Sequence, residues 1–327
     1  MYPEGKSAEG KNVTDVEIIE VSPRDGIQNE KTLLSLEDRL ELIRMSAAAG
    51  AARIEAVSFV NPRRVPQMAH AEEICAAIPA MRAGLKGARG ERTRYIGLAL
   101  NRKGFDRALE TVEAHPGSLD EVNYVVVASD TFNNRNQGAD TFVTAEAFGR
   151  IARDAKGRID AGVTIGASFG CPFEGEVPLA RLLSVVEALA AHAPFEIALA
   201  DTIGVATPRD VEERVGAVRA RFPETPIRLH LHNTRNTGIA NAWAGVQAGA
   251  RALDSSFGGV GGCPFAPRAT GNVPTEDLVY MLERSGVATG VDLDAAVAAA
   301  EWLEGRLGHT VPGMVMKAGG FPAPQAA

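Results

Sequence analysis

Two histidines stand two residues apart in Leu229-His230-Leu231-His232, at the end of a short apolar run. A strand turns alternate side chains to opposite faces, so the leucines share one face and the histidines the other. One histidine so placed is usually a hydrogen-bonded core residue, but two on one face are candidate metal ligands. A second cluster, Ser22-Pro23-Arg24-Asp25-Gly26-Ile27-Gln28-Asn29-Glu30, sets an arginine beside an aspartate just past another apolar run. Asp25-Gly26 alone reads as an ordinary turn dipeptide. Glu55 lies inside an apolar run, where a carboxylate is costly unless paired, and Arg24 is an expected partner. Asp201 directly follows another run and sits six residues before Thr207, too far to cap the helix that begins there.

The segment Gly258-Gly259-Val260-Gly261-Gly262-Cys263-Pro264-Phe265-Ala266 reads as a mobile lid or a close backbone approach tipped by a thiol, or as a flexible connection whose thiol is incidental. Asn272 follows and is either functional or a helix cap. Of the other two cysteines, Cys171 is expected to be structural and Cys75 to pack within a helix. Three cysteines without paired spacing exclude a disulfide framework. No lysine falls within an apolar run, which argues against a Schiff-base aldolase.

These residues need elements to hold them. Short β-branched or apolar runs recur at 16–21, 53–59, 94–100, 121–128, 162–169, 195–200, 227–232 and 250–255. Helical periodicity fills the intervals at 35–49, 66–78, 103–115, 144–156, 178–191, 208–222, 237–249 and 275–284. Ser35 with Asp38 reads as a capping box, and Thr207-Pro208 as a cap with proline at the first helical position. Eight strand-helix units without a linker predict a single (β/α)8 TIM barrel over 16–290. Residues 1–15 are read as a polar N-terminal segment, and 291–327 as a C-terminal helix and tail. An open doubly wound sheet is the other arrangement of the same units.

In a parallel barrel the loops after the strands build the active site. The basic stretch Arg82 to Arg94 precedes a strand and belongs on the far face. Arg63, Arg64, Lys103, Arg135, Arg235 and Arg268 lie on strand-following loops and are the candidates for an anionic substrate. The formal charge of -7 argues against sequence-independent nucleic-acid binding. No run approaches the roughly 18 apolar residues of a membrane span, so the reading is a soluble, cytoplasmic protein.

Taken together, these segments resemble the hydroxymethylglutaryl-CoA lyase family of metal-dependent (β/α)8 lyases. The resemblance rests on Ser22 to Glu30, Ser58 to Pro62, Val65 to Met68, Asn101 to Phe105, Gly170 to Gly175, Asp201 to Gly204 and Asp254 to Met281. Its most specific part is Gly261-Gly262-Cys263-Pro264-Phe265 followed by Gly271-Asn272 and Thr275-Glu276-Asp277-Leu278. By position, it implies that Asp25, His230, His232 and Asn272 bind Mg²⁺ or Mn²⁺, with no organic cofactor beyond the CoA of the substrate. It makes Cys263 the catalytic cysteine and Arg24 a catalytic, substrate-contacting arginine. Glu55 and Asp201 match family active-site acids, and either His230 or Asp201 is the base. Arg64, Lys103 and Arg235 are the further substrate-binding candidates.

The implied reaction cleaves 3-hydroxy-3-methylglutaryl-CoA to acetyl-CoA and acetoacetate, as in leucine catabolism, in a homodimer. The alternative within the family is another 3-hydroxyacyl-CoA such as citramalyl-CoA, giving pyruvate. A Claisen-condensing synthase shares the Arg-Asp and His-Xaa-His elements but not the cysteine loop. A silent binding barrel has no need for all these groups together. Where the family usually has His-Asp-Thr, an aromatic and Gly, this chain has His232-Asn233-Thr234-Arg235-Asn236.

Overall fold

The computed structural model describes residues 15–262 and 271–322. Eight parallel strands close into a barrel in chain order, confirming the (β/α)8 expectation over the open sheet. They are β1 (Glu17–Glu20), β2 (Arg53–Ser58), β3 (Arg94–Ala99), β4 (Glu121–Val127), β5 (Asp160–Gly166), β6 (Ile197–Asp201), β7 (Ile227–Leu231) and β8 (Ala252–Ser255). Closure comes from β8 pairing with β1, with Glu17 opposite Ala252 and Glu20 opposite Ser255.

The helices among the described residues are α1 (Leu36–Ala49), α2 (Ala71–Gly84), α3 (Arg102–Ala114), α4 (Asp130–Gln137), α5 (Thr141–Ala155), α6 (Leu179–Ala190), α7 (Pro208–Arg221), α8 (Gly238–Ala248), α9 (Thr275–Arg284), α10 (Leu293–Leu307) and α11 (Val315–Ala318). None is long and apolar enough to cross a membrane. Two differences from the periodicity stand out. The run 66–78 splits into a 3₁₀ turn at Pro66–Met68 and then α2, with His70 in the left-handed region between them. Helix α4 is polar and has no apolar period; Ser129 caps it by accepting from the Phe132 amide.

Most of the apolar core lies between strands and helices, which is where Leu229 and Leu231 point. Inside the barrel the apolar cluster is small, comprising Ile19, Val21, Ile96 and Ala252. An ionic network lies beside it. Arg53 grips both oxygens of Glu196 at 2.7 and 2.8 Å and also reaches Glu121 at 3.1 Å. Arg228 lies 3.2 Å from Glu196 and 3.5 Å from Asp254. Buried charge persists only when paired, and each of these side chains has an opposite charge beside it.

The basic stretch before β3 lies at the far end, as its position in the chain requires. There Arg82 and Arg94 pair with Asp120 and Asp160, and Arg89 with Asp292 at 3.5 Å. The Thr207 cap forms a complete capping box with Asp210, whereas Ser35 makes only the forward bond, from the Asp38 amide. Thr207→Ala should therefore lower stability by about 1 kcal/mol. Urea unfolding would register this as a shifted midpoint at constant slope, and an unmoved midpoint would show that the cap contributes nothing.

Candidate active site

The chain leaves β1 through one wide π-helical turn, Ser22–Gly26, whose Arg24 and Gly26 amides both donate to the Val21 carbonyl. Such turns often mark functional sites, and this one sets Arg24 and Asp25 at the mouth of the barrel. Arg24 Nε donates to Glu55 Oε2 at 2.8 Å, and Nη1 to Asp25 Oδ1 at 2.7 Å. The partner expected for Glu55 is thus the one found. Burial alone would lower the Arg24 pKa, but Glu55 and Asp25 outweigh it and raise it.

Across the mouth, His230 Nε2 and His232 Nε2 face each other at 3.2 Å. His230 Nε2 lies 3.8 Å from Asp25 Oδ2, and one ligand atom from each of Asp25, His230 and His232 falls within 4.8 Å of the others. Asn272 Nδ2 donates to Asp25 Oδ2 at 2.9 Å and to the Val260 carbonyl at 3.1 Å. Its Oδ1 is buried without a partner. Burial opposes ionisation of Asp25, but Arg24 and the two histidines hold its carboxyl down to about 2. Burial and the neighbouring His230 push His232 down to about 4, so its ring is neutral at pH 7. An ionised carboxylate, a neutral imidazole and an orphaned amide oxygen beside a second imidazole are the donor set a divalent cation takes. Those residues could hold one.

Asp201 sits at the end of β6, but its two oxygens accept the Val205 and Ala206 amides at 2.9 and 3.0 Å. It holds the following loop, and burial raises its pKa against those bonds. Two of the three departures after His232 are also turned to structure. Asn233 Oδ1 accepts the Gly238 amide at the start of α8, and the exposed Arg235 donates to the Ile203 and Gly204 carbonyls. Arg64, on the loop after β2, and Lys103, in the first turn of α3, are both exposed at this same end. Cys171 is buried against Ser129 at 3.0 Å and accepts from the Phe173 and Glu174 amides, a structural tie between two loops. Cys263 and Arg268 lie outside the described residues.

The loop leading toward Cys263 is shaped by backbone as much as by side chains. Gly258, Gly259, Gly261 and Gly271 all have positive φ, and a Cβ on Gly261 would lie 2.4 Å from Asn272 Nδ2. Two buried carboxylates anchor its base. Glu20 accepts from the Ser22 and Phe257 amides and from Thr275 Oγ1, and Glu276 accepts from the Gly258 amide. Burial raises them to about 7 and about 8.

A cavity of about 200 Å³ opens here. Arg24, Asp25, His230, His232 and Asp254 form one wall, and Leu98, Leu100, Val125, Val127 and Phe132 the other. Asn123 and Thr164, hydrogen-bonded at 2.9 Å, also line it. Asp201, Arg64, Lys103 and Arg235 are not among the lining residues. Sequence reasoning missed Asp254, Asn123 and Thr164. Asp254 had a legible signal, a carboxylate inside an apolar run; the others are small polar residues that only the closed barrel sets facing the cavity.

A closed parallel barrel with ionisable groups gathered above its strand ends defines a TIM-barrel enzyme. The HMGL-like family model matches residues 15–303. The chain belongs to that family, and it is a lyase. It is 42% identical to the (R)-citramalyl-CoA lyase of Chloroflexus aurantiacus, over 93% of this chain and 95% of that one. It is 36% identical to the hydroxymethylglutaryl-CoA lyase of Bacillus subtilis, over 91% and 95%. A solved HMG-CoA lyase from Acinetobacter baumannii, in complex with coenzyme A and 3-methylmalate, matches with a TM-score of 0.85 at 37% identity, covering 95% and 97%.

Proposed function

We propose that this lyase cleaves the carbon-carbon bond of a 3-hydroxyacyl-CoA that carries a tertiary hydroxyl and a terminal carboxylate. The observation that supports it is the convergence of Arg24, Asp25, His230 and His232 on one wall of the cavity. A divalent cation, Mg²⁺ or Mn²⁺, held by Asp25, His230, His232 and Asn272 would supply the Lewis acidity that makes a hydroxyl more acidic and holds a carboxylate. Loss of the hydroxyl proton forms the ketone as the bond to the thioester α-carbon breaks. The electron pair moves onto the thioester as an enolate. Arg24, oriented by Glu55, places its guanidinium where that oxygen gains charge. Cys263 is the acid that protonates the enolate carbon to give acetyl-CoA.

His230 and Asp201 are the two candidate bases. A nitrogen that lends its lone pair to a cation has none left for a proton, so His230 Nε2 cannot serve both roles at once; we assign it to the cation and the hydroxyl proton to Asp201, whose carboxyl burial makes more basic. Arg64 and Lys103, at the mouth end, are read as contacts for the CoA phosphates, and Arg235 as the brace of the loop that holds Asp201. On the family resemblance we also propose a homodimer.

Hydroxymethylglutaryl-CoA and citramalyl-CoA differ by one methylene between the hydroxyl-bearing carbon and the carboxylate. The 42% identity to the Chloroflexus enzyme, against 36% to the Bacillus one, favours the shorter substrate, with pyruvate as co-product. One methylene is worth roughly 10- to 200-fold in kcat/KM. Acetyl-CoA release from each thioester with Mn²⁺, beside EDTA and Cys263→Ala controls, is expected to show such a preference for citramalyl-CoA and to vanish in both controls. Preference for hydroxymethylglutaryl-CoA would reverse the substrate assignment, and no release from either would sink the reaction.

A further inference from the structure

We infer that Asp254, braced by Arg228, is the positioning residue that fixes the His230 ring for the cation. The inference rests on the ligand role proposed for His230. Strands β7 and β8 pair with His230 directly opposite Asp254. His230 Nδ1 lies 3.0 Å from Asp254 Oδ2. An ionised carboxylate only accepts, so Nδ1 must carry the hydrogen. The lone pair of the neutral ring is then at Nε2, the atom that faces His232 and Asp25. Rotating the ring would break the Asp254 bond and bury an unpaired N–H.

Asp254 is held in turn. Its carboxylate lies 3.5 Å from Arg228 Nε, two residues before His230 on the same strand face. Arg228 is 2% exposed and is pinned from its other side by Glu196, which Arg53 grips with two hydrogen bonds. Opposite charges thus alternate along the barrel interior from Arg53 to His230. Screening by solvent is weak at every link, so each side chain has one arrangement. A carboxylate behind a ligating histidine fixes the ring and its tautomer, and losing it typically costs 10- to 100-fold in metal affinity.

Mn²⁺ titration of the full chain and its variants, followed by calorimetry, tests this. Asp254→Ala should weaken Mn²⁺ binding by roughly 10- to 100-fold. Asp254→Asn, whose amide oxygen still accepts from Nδ1–H, should recover part of the loss. A merely structural role would lower the unfolding midpoint of both without ordering their affinities this way. Should Asp254→Ala fail to fold, long-range ¹H–¹⁵N spectra of the metal-free wild type at alkaline pH report the His230 tautomer directly. Hydrogen on Nδ1 supports the inference. Hydrogen on Nε2, or wild-type affinity in a folded Asp254→Ala, overturns it while leaving the ligand role standing. A wild type that takes up no Mn²⁺ removes the ligand role and the inference with it.

Discussion

Arg24→Met is expected to lose roughly 10²- to 10³-fold in kcat/KM, the usual effect of deleting one preorganised donor to a developing oxyanion. It should also lose about 3 to 5 kcal/mol of stability, because it strands a buried carboxylate. Glu55 is 2% exposed, and Arg24 holds Oε2 while its other oxygen has no hydrogen-bond partner. The two effects separate in Arg24→Met/Glu55→Gln. Removing both charges restores much of the stability, since a neutral amide is far cheaper to bury than an unpaired carboxylate, but leaves turnover low. Urea unfolding and thioester cleavage on the three proteins decide it. If the double variant regains activity, Arg24 acts only through stability; if the single variant stays active, the oxyanion role is wrong.

The second large effect is a loss of stability as pH rises. Glu20 and Glu276 titrate at about 7 and about 8 in the folded chain, far above the ordinary 4.5. Their raised values mean that the native state binds more protons than the unfolded state between those limits. Stability therefore falls as pH climbs from about 4.5 to about 8, and the contribution is fully present only below the unfolded pKa. Glu276→Gln removes one titrating group while keeping its shape. At pH 9 it should be more stable than wild type by roughly 3 to 5 kcal/mol, with a flatter pH profile. Parallel profiles for the two proteins would show that Glu276 does not titrate in this range.

The barrel was legible because its strands carry their own punctuation. Apolar runs alternate with helical periods, and Thr207-Pro208 marks a helix start that the structure closes with Asp210. Helix α4 escaped because Asp130–Gln137 has no apolar stripe; its order comes from the Ser129 cap and from Asn133, which donates to Thr144. The His230/His232 face and the Arg24–Glu55 pair could be read from strand alternation and the cost of a buried acid. Asp201 could not, because the same residue type in the same place serves a cation, a proton or two loop amides, and only the fold shows the amides. Nor could the brace made by Arg235 be read: four residues past the end of β7 it looks like a substrate contact, and its guanidinium donates to two carbonyls of the neighbouring loop.

The glycine turn beside Asn272 has a consequence for anyone wishing to retune this enzyme. At Gly258, Gly259, Gly261 and Gly271 an added side chain meets Val311, Pro274, Asn272 or the Gly259 carbonyl within 2.4 to 2.8 Å, on backbone that disfavours any Cβ. Diversity spent on those positions yields collapsed mouths rather than new substrates. The opposite wall has ordinary backbone and side chains that can be exchanged for one another. Variant libraries at Leu98, Leu100, Val125 and Phe132 are where altered acyl preference can be sought without disturbing the donors across the cavity.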